Sequence, residues 1–267
     1  MLDQIFGPRP HVPAPGLRAL STTLCFLAVA VLGFVLCIAI AVGFLLLVPG
    51  QMALFRESCA EAVNFNTEPA CRPFEAVFSV SLYLLIPASL ALLASLRRGS
   101  AAENLLLRSP GWELKQYVAF IALIFVAAQG IEIVLRLVSA ALGVDLSPMN
   151  DDLARPREWL GADPFSAGLM GLLIVVLAPF TEETVFRGFL FRPFLDTPLR
   201  AILAGGTLTL LWTLLHWSYA WQNLLTIGVL GVLFAYATWR TGSVWPAIAG
   251  HAANNVMAAV VSFLYQP

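Results

Sequence analysis

GLMGLLIVVLAPFTEETVFR, residues 168–187, decides how this chain is read. The first thirteen residues carry no charge and suit lipid; the next seven bring in Glu182, Glu183 and Arg187. An ionised side chain at the centre of a bilayer helix costs roughly 2.5–3.5 kcal/mol on insertion scales, so three together call for a reason. On a helix, residues four apart share a face, and Glu183 and Arg187 form such a pair with the acid on the favoured N-terminal side. Glu182 is turned about 100° away and has no local counter-ion. The spacing therefore predicts one braced carboxylate and one free one. Pro179 removes a backbone donor just before them and predicts a bend.

The rest of the chain supports a membrane reading. Of its 267 residues 59% are hydrophobic and 12% charged, against roughly a quarter charged in soluble domains. The net charge of −1 offers no basic field for nucleic acid, and none is expected as a partner. Apolar runs near the ~20 residues needed to cross a bilayer recur, and they are continuous rather than alternating, which excludes a barrel. The expected fold class is all-α, a polytopic transmembrane helical bundle of about seven spans. These fall near 20–49, 76–96, 117–138, 168–190, 199–217, 222–239 and 244–265. The first is too long for a signal-peptide core and reads as a retained span behind a Pro-rich tail, FGPRPHVPAPG.

Basic residues in short loops set the orientation. Arg9, Arg18, Arg97, Arg98, Arg108, Lys115, Arg187, Arg192, Arg200 and Arg240 fall on one side; Arg56, Arg72, Arg155 and Arg157 fall on the other. The protein is thus expected to be multi-pass in the plasma membrane, N-terminus in the cytoplasm and C-terminus outside. Cys59 and Cys71 share the first outer loop, ESCAEAVNFNTEPACRPF, where a disulfide can form, although four cysteines do not dictate a pairing. Three regions are expected: a tail over 1–19, transmembrane helices without diagnostic motifs over 20–145, and a polar-rich core over 165–267. The stretch between the last two, VDLSPMNDDLARPREWLGADPF, reads as an outer loop with a surface helix.

Two of the three histidines lie in that last region: His216 in LLWTLLHWSY, one turn after Trp212, and His251 in PAIAGHAANNV, one turn before Asn255. A lone intramembrane histidine can be a packing residue. Two of them with a free glutamate and an asparagine point to a site, since His and Glu are readily tuned for proton transfer near neutral pH. Glu132 and Arg136, four apart in the third span, read as a mutually neutralising structural pair.

Together these stretches resemble the CPBP intramembrane proteases, the group that includes type II CAAX prenyl endopeptidases and bacteriocin-processing and immunity proteins. Glu182, Glu183 and Arg187 match its EExxxR motif, and His251 with Asn255 match HxxxN. Trp212 and His216 stand where FxxxH is usual, with Trp in place of Phe. The resemblance covers about 165–262. It implies a peptidase in which Glu182 activates a water, His216 helps hold or deprotonate it, and His251 and Asn255 stabilise the oxyanion. Glu183 and Arg187 would be the supporting ion pair. The implied partners are the lipid bilayer and a peptide or membrane-anchored protein substrate, prenylated or not.

No cofactor is expected. The alternative is Zn²⁺ held by Glu182, His216 and His251, although the compact HExxH signature is absent. Two further alternatives are a catalytically silent immunity or scaffold protein of the same fold and a proton-coupled carrier, whose usual paired repeats are not evident. The site also carries a geometric demand. On straight rods His216 falls near the outer end of the fifth span and His251 near the inner end of the seventh, so a break or tilt of the fifth helix at Gly205–Gly206, or a deeper start of that span, is required.

Overall fold

The computed structural model describes residues 19–55, 59, 71–95, 99–161 and 163–264. The tail with His11, and Arg56, Arg97 and Arg98, lie outside the described residues. Among the described residues every regular element is helical, which makes the protein an all-α membrane bundle. The principal helices are α1 (Ala19–Leu47), α2 (Arg72–Ser95), α3 (Leu114–Leu142), α4 (Ser147–Leu160), α5 (Pro164–Phe194), α6 (Pro198–Leu214), α7 (Trp221–Thr241) and α8 (Trp245–Leu264).

Six of these are long and apolar enough to cross a bilayer. The expected fifth span is the exception: α6 has 17 residues and ends at Leu214, so His216 sits in the turn that follows rather than in the helix. The expected outer loop also differs. Its helix α4 docks against the bundle, with Met149 and Asp152 buried. Asp152 accepts from the Ala220 amide at 2.7 Å and from Asn223 Nδ2 at 2.8 Å, tying α4 to the α6–α7 turn.

Sequence periodicity explains the packing. Along α1 the buried positions Val29, Gly33, Cys37, Ala41 and Leu45 recur every four residues. This stripe of mostly small side chains lets α2 approach, as between membrane helices generally. Cys59 and Cys71 form a disulfide immediately ahead of α2.

Helix α5 starts cleanly: Asp163 caps it by accepting from the Phe165 and Ser166 amides, with Pro164 at the first position. It does not continue as a plain α-helix. Two π-helical stretches, Leu173–Leu177 and Thr184–Leu190, flank the short α-segment Ala178–Glu183. The bend expected from Pro179 thus takes the form of a widened turn. The Ala178 amide bonds Leu173 O, and Pro179 has no amide to offer, so Ile174 O lacks both helical partners. Asn255 Nδ2 supplies the missing donor at 2.9 Å from α8.

One end of the bundle is closed by the chain before α3. Leu106 adopts φ 56°, unusual for a branched residue, and its carbonyl accepts from the Val244 amide at 3.0 Å. Nearby, Ser243 Oγ donates to Arg108 O at 2.7 Å and Trp245 Nε1 to Leu107 O at 2.9 Å. Leu106, Phe191, Leu195, Ala201 and Val244 are buried beneath. Gly188 meets the same segment: a Cβ there would lie 2.6 Å from Leu105 O.

Candidate active site

The EExxxR stretch presents its three charged groups in two directions. Glu183 and Arg187 are 0% and 1% exposed and meet at 3.2 Å, as the i,i+4 spacing predicts. The guanidinium also donates to Gly231 O at 3.2 Å and lies 4.5 Å over the Trp212 ring. Glu183 Oε1 has a second neighbour, His251 Nδ1, at 3.0 Å. A buried charge needs such pairing, because either ion left alone in a low dielectric is strongly disfavoured.

Glu182 faces a cavity of about 710 Å³. Both its carboxylate oxygens are engaged: Tyr83 Oη donates to Oε1 at 2.9 Å and Trp212 Nε1 to Oε2 at 2.6 Å. His216, His251 and Asn255 line the same cavity. His216 Nδ1 lies 2.9 Å from Trp212 O; a carbonyl only accepts, so Nδ1 carries the proton and Nε2 is bare in the neutral ring. The cavity extends past Tyr219 and Asn223 to Asp152, and past Gln129 to Glu132. Glu132 is paired with Arg136 at 2.8 Å, which in turn donates to Asn150, so this pair both stabilises the bundle and borders the cavity.

The depth conflict between the two histidines disappears without a break in α6. The helix runs unbroken through Gly205–Gly206 and packs antiparallel on α7. A Cβ on Gly205 would touch Ala235, one on Gly231 Thr209, and one on Gly228 Thr213. Trp212 bridges the remaining gap, its ring centroid 5.1 Å from that of His216 and 5.5 Å from that of His251. The structure therefore gathers Glu182, Arg187, His216 and His251 around one indole, with Glu183 bonded to Arg187 and His251 and Asn255 on the wall of the same cavity.

Residues 164–257 match the family model for Rce1-like type II CAAX prenyl endopeptidases. This segment is similar to the CPBP-family domain. The matched family is one of membrane peptidases, and the six long apolar helices make the chain an integral membrane protein. No curated protein and no solved structure matches it. The CPBP segment contains all six residues singled out by motif, from Glu182 to Asn255.

It does not contain Tyr83, which sequence reasoning missed. A lone phenol in the apolar run SLYLLIPASL was the available signal, because a buried tyrosine hydroxyl needs a partner. Nothing in local spacing named that partner, 99 residues away. As for the zinc alternative, among the described residues no three His, Cys, Asp or Glu side chains gather closely enough to hold a metal ion. Glu182 presents its oxygens to an O–H and an N–H, the setting of a hydrogen-bond acceptor.

Proposed function

We propose that the protein is an intramembrane endopeptidase that hydrolyses a peptide bond of a membrane-associated or lipidated substrate with water activated by Glu182. The observation that carries this reading is the convergence of Glu182, His216, His251 and Asn255 on one cavity within a CPBP-like domain. Glu182 takes a proton from the water as its oxygen adds to the scissile carbonyl. The bare Nε2 of His216 accepts the other water proton as a hydrogen bond and orients the nucleophile.

The developing oxyanion is met by two donors. Asn255 spends one amide N–H on Ile174 O and retains the other. His251, held through Nδ1 by Glu183, offers Nε2–H in its doubly protonated form. Such donors typically contribute about 2.7–4 kcal/mol each to transition-state stabilisation. The tetrahedral adduct then collapses: the C–N bond breaks, Glu182 returns its proton to the leaving amine, and a carboxylic acid, which still carries the second water proton, departs with the amine. No covalent enzyme intermediate and no metal is needed. The loop charges further support an N-terminus in the cytoplasm.

The test uses purified protein in liposomes with a mixed library of lipidated and unmodified peptides. Cleavage is followed by mass spectrometry for the parent and for Glu182→Ala, each with and without a chelator. Cleavage lost in the variant and untouched by chelation is the expected result. Loss on chelation would replace the route by a metal-dependent one, and identical product profiles for parent and variant would remove Glu182 from the reaction.

A further inference from the structure

Glu182 is held by two donors that lie outside the motif residues assigned to the chemistry. Tyr83 Oη reaches Oε1 from α2, a helix that precedes the CPBP segment entirely. Its own position is braced, since Thr181 Oγ1 donates to the Tyr83 carbonyl at 2.6 Å. Trp212 Nε1 reaches Oε2 at the position where the motif usually has phenylalanine, whose ring could pack there but could not donate. The Trp212 ring is fixed in turn by edge contacts with Phe234 and His251 and by the Arg187 guanidinium over its face.

The geometry points to Tyr83 and Trp212 as positioning residues that clamp the Glu182 carboxylate, one donor on each oxygen, so that α2 is part of the catalytic apparatus of this chain. The inference rests on Glu182 being the base. Hydrogen bonds to an ionised group are about twice as strong as neutral ones and fix direction as well as distance. A carboxylate restrained at both oxygens keeps its remaining lone pairs aimed at one place in the cavity. The water is then met without reorganisation of the base, which is where preorganised sites gain their rate.

The test requires no known substrate. Dicyclohexylcarbodiimide, an apolar reagent that enters membrane proteins, is attacked by a carboxyl oxygen to form an adduct. An oxygen tied to a donor attacks slowly. Labelling of full-length protein in detergent is followed by tandem mass spectrometry of the peptide holding Glu182 and Glu183, with Glu182→Gln assigning the adduct. Tyr83→Phe and Trp212→Phe, which keep a ring at each position, are expected to speed labelling of Glu182 about tenfold each, from the usual strength of a bond to a charged group. Glu183 labelling and the melting temperature should stay at parent values. Labelling of Glu182 at the parent rate in both variants would overturn the clamp; faster labelling of Glu182 and Glu183 together, with a lowered melting temperature, would overturn it in favour of a packing role. In the peptide-cleavage assay the same variants should lower kcat about tenfold with KM little changed. An unchanged kcat in both, alongside an inactive Glu182→Ala, would remove the clamp and leave the base standing; an active Glu182→Ala would remove the base itself.

Discussion

Arg187 is the largest fully buried side chain among the described residues, and it is charged. Its partners (Glu183, the Gly231 carbonyl, the Trp212 face and, more distantly, Phe234 and Phe186) come from three helices. Removing one member of such a pair leaves an uncompensated ion, so Arg187→Met should lower stability by roughly 3–5 kcal/mol. Arg136→Met, at a pair with side chains 33% and 22% exposed, should cost less than about 1 kcal/mol. Unfolding of both variants in detergent tests the contrast, and equal losses would contradict it. The Glu183–Arg187 pair was legible because helical spacing reports neighbours on one element. The third member, His251, lies 68 residues along the chain, and periodicity says nothing at that range. The donors to Glu182 were hidden for the same reason; the motif correctly showed only that no local cation serves it.

At the scale of elements, close approach and capping set the predictions. A Cβ on Gly231 would lie 2.7 Å from Thr209 Cγ2 and 2.9 Å from Arg187 Nη2. Gly231→Ala should therefore push α6 from α7 and cost about 1–3 kcal/mol, with peptide cleavage reduced as Trp212 shifts. Gly228→Ala, one turn earlier and 3.6 Å from Thr213 Oγ1, meets only ordinary contact and should be neutral or slightly stabilising. Melting curves of the two variants side by side check this. The cap of α5 gives a pH dependence. Bonds from Ser166 and then Phe165 hold the Asp163 carboxyl below its usual range. A lowered folded-state value means that the cap contributes fully above the unfolded value, about pH 4, and is lost as pH falls through the folded one. Asp163→Asn should flatten the part of the stability profile below about pH 4; an unchanged profile would show the cap to be irrelevant. Helix existence was readable from apolar runs, whereas the start of α5 was placed at 168 and lies at Pro164. The π-helical stretch Leu173–Leu177 was not readable, since it depends on where the Ile174 carbonyl can find a partner, and that partner is Asn255 on α8.

Across the whole molecule, the helices without recognisable motifs and the CPBP segment share one interior. Glu75, Tyr83 and Ile86 of α2, and Ile124, Gln129 and Glu132 of α3, line the same cavity as Glu182 and His251. Six of the seven expected spans are long apolar helices, and the fifth, α6, is an apolar helix of 17 residues that ends before His216, because composition alone does not locate a helix end that leads into a tight turn. The cavity is bordered by α4 and the α6–α7 turn at one end, and below it lies the tight packing of Phe120, Phe189, Phe234, Ala237 and Ala247. Beyond that packing, the 105–108 segment is bonded to Val244 and its neighbours. A hydrolase needs water, and a bilayer that sustains a proton-motive force cannot tolerate a continuous water file. The packing and the 105–108 segment are predicted to act as a stopper at that end, so that water can reach the cavity without ions leaking across. Liposomes carrying the parent protein should hold an imposed pH gradient as well as empty ones, as followed with an entrapped dye. Ser243→Ala with Arg108→Ala removes the Ser243 Oγ bond and the bond that Arg108 Nε donates to Gly242 O at 3.1 Å, both far from Glu182, and should discharge it faster.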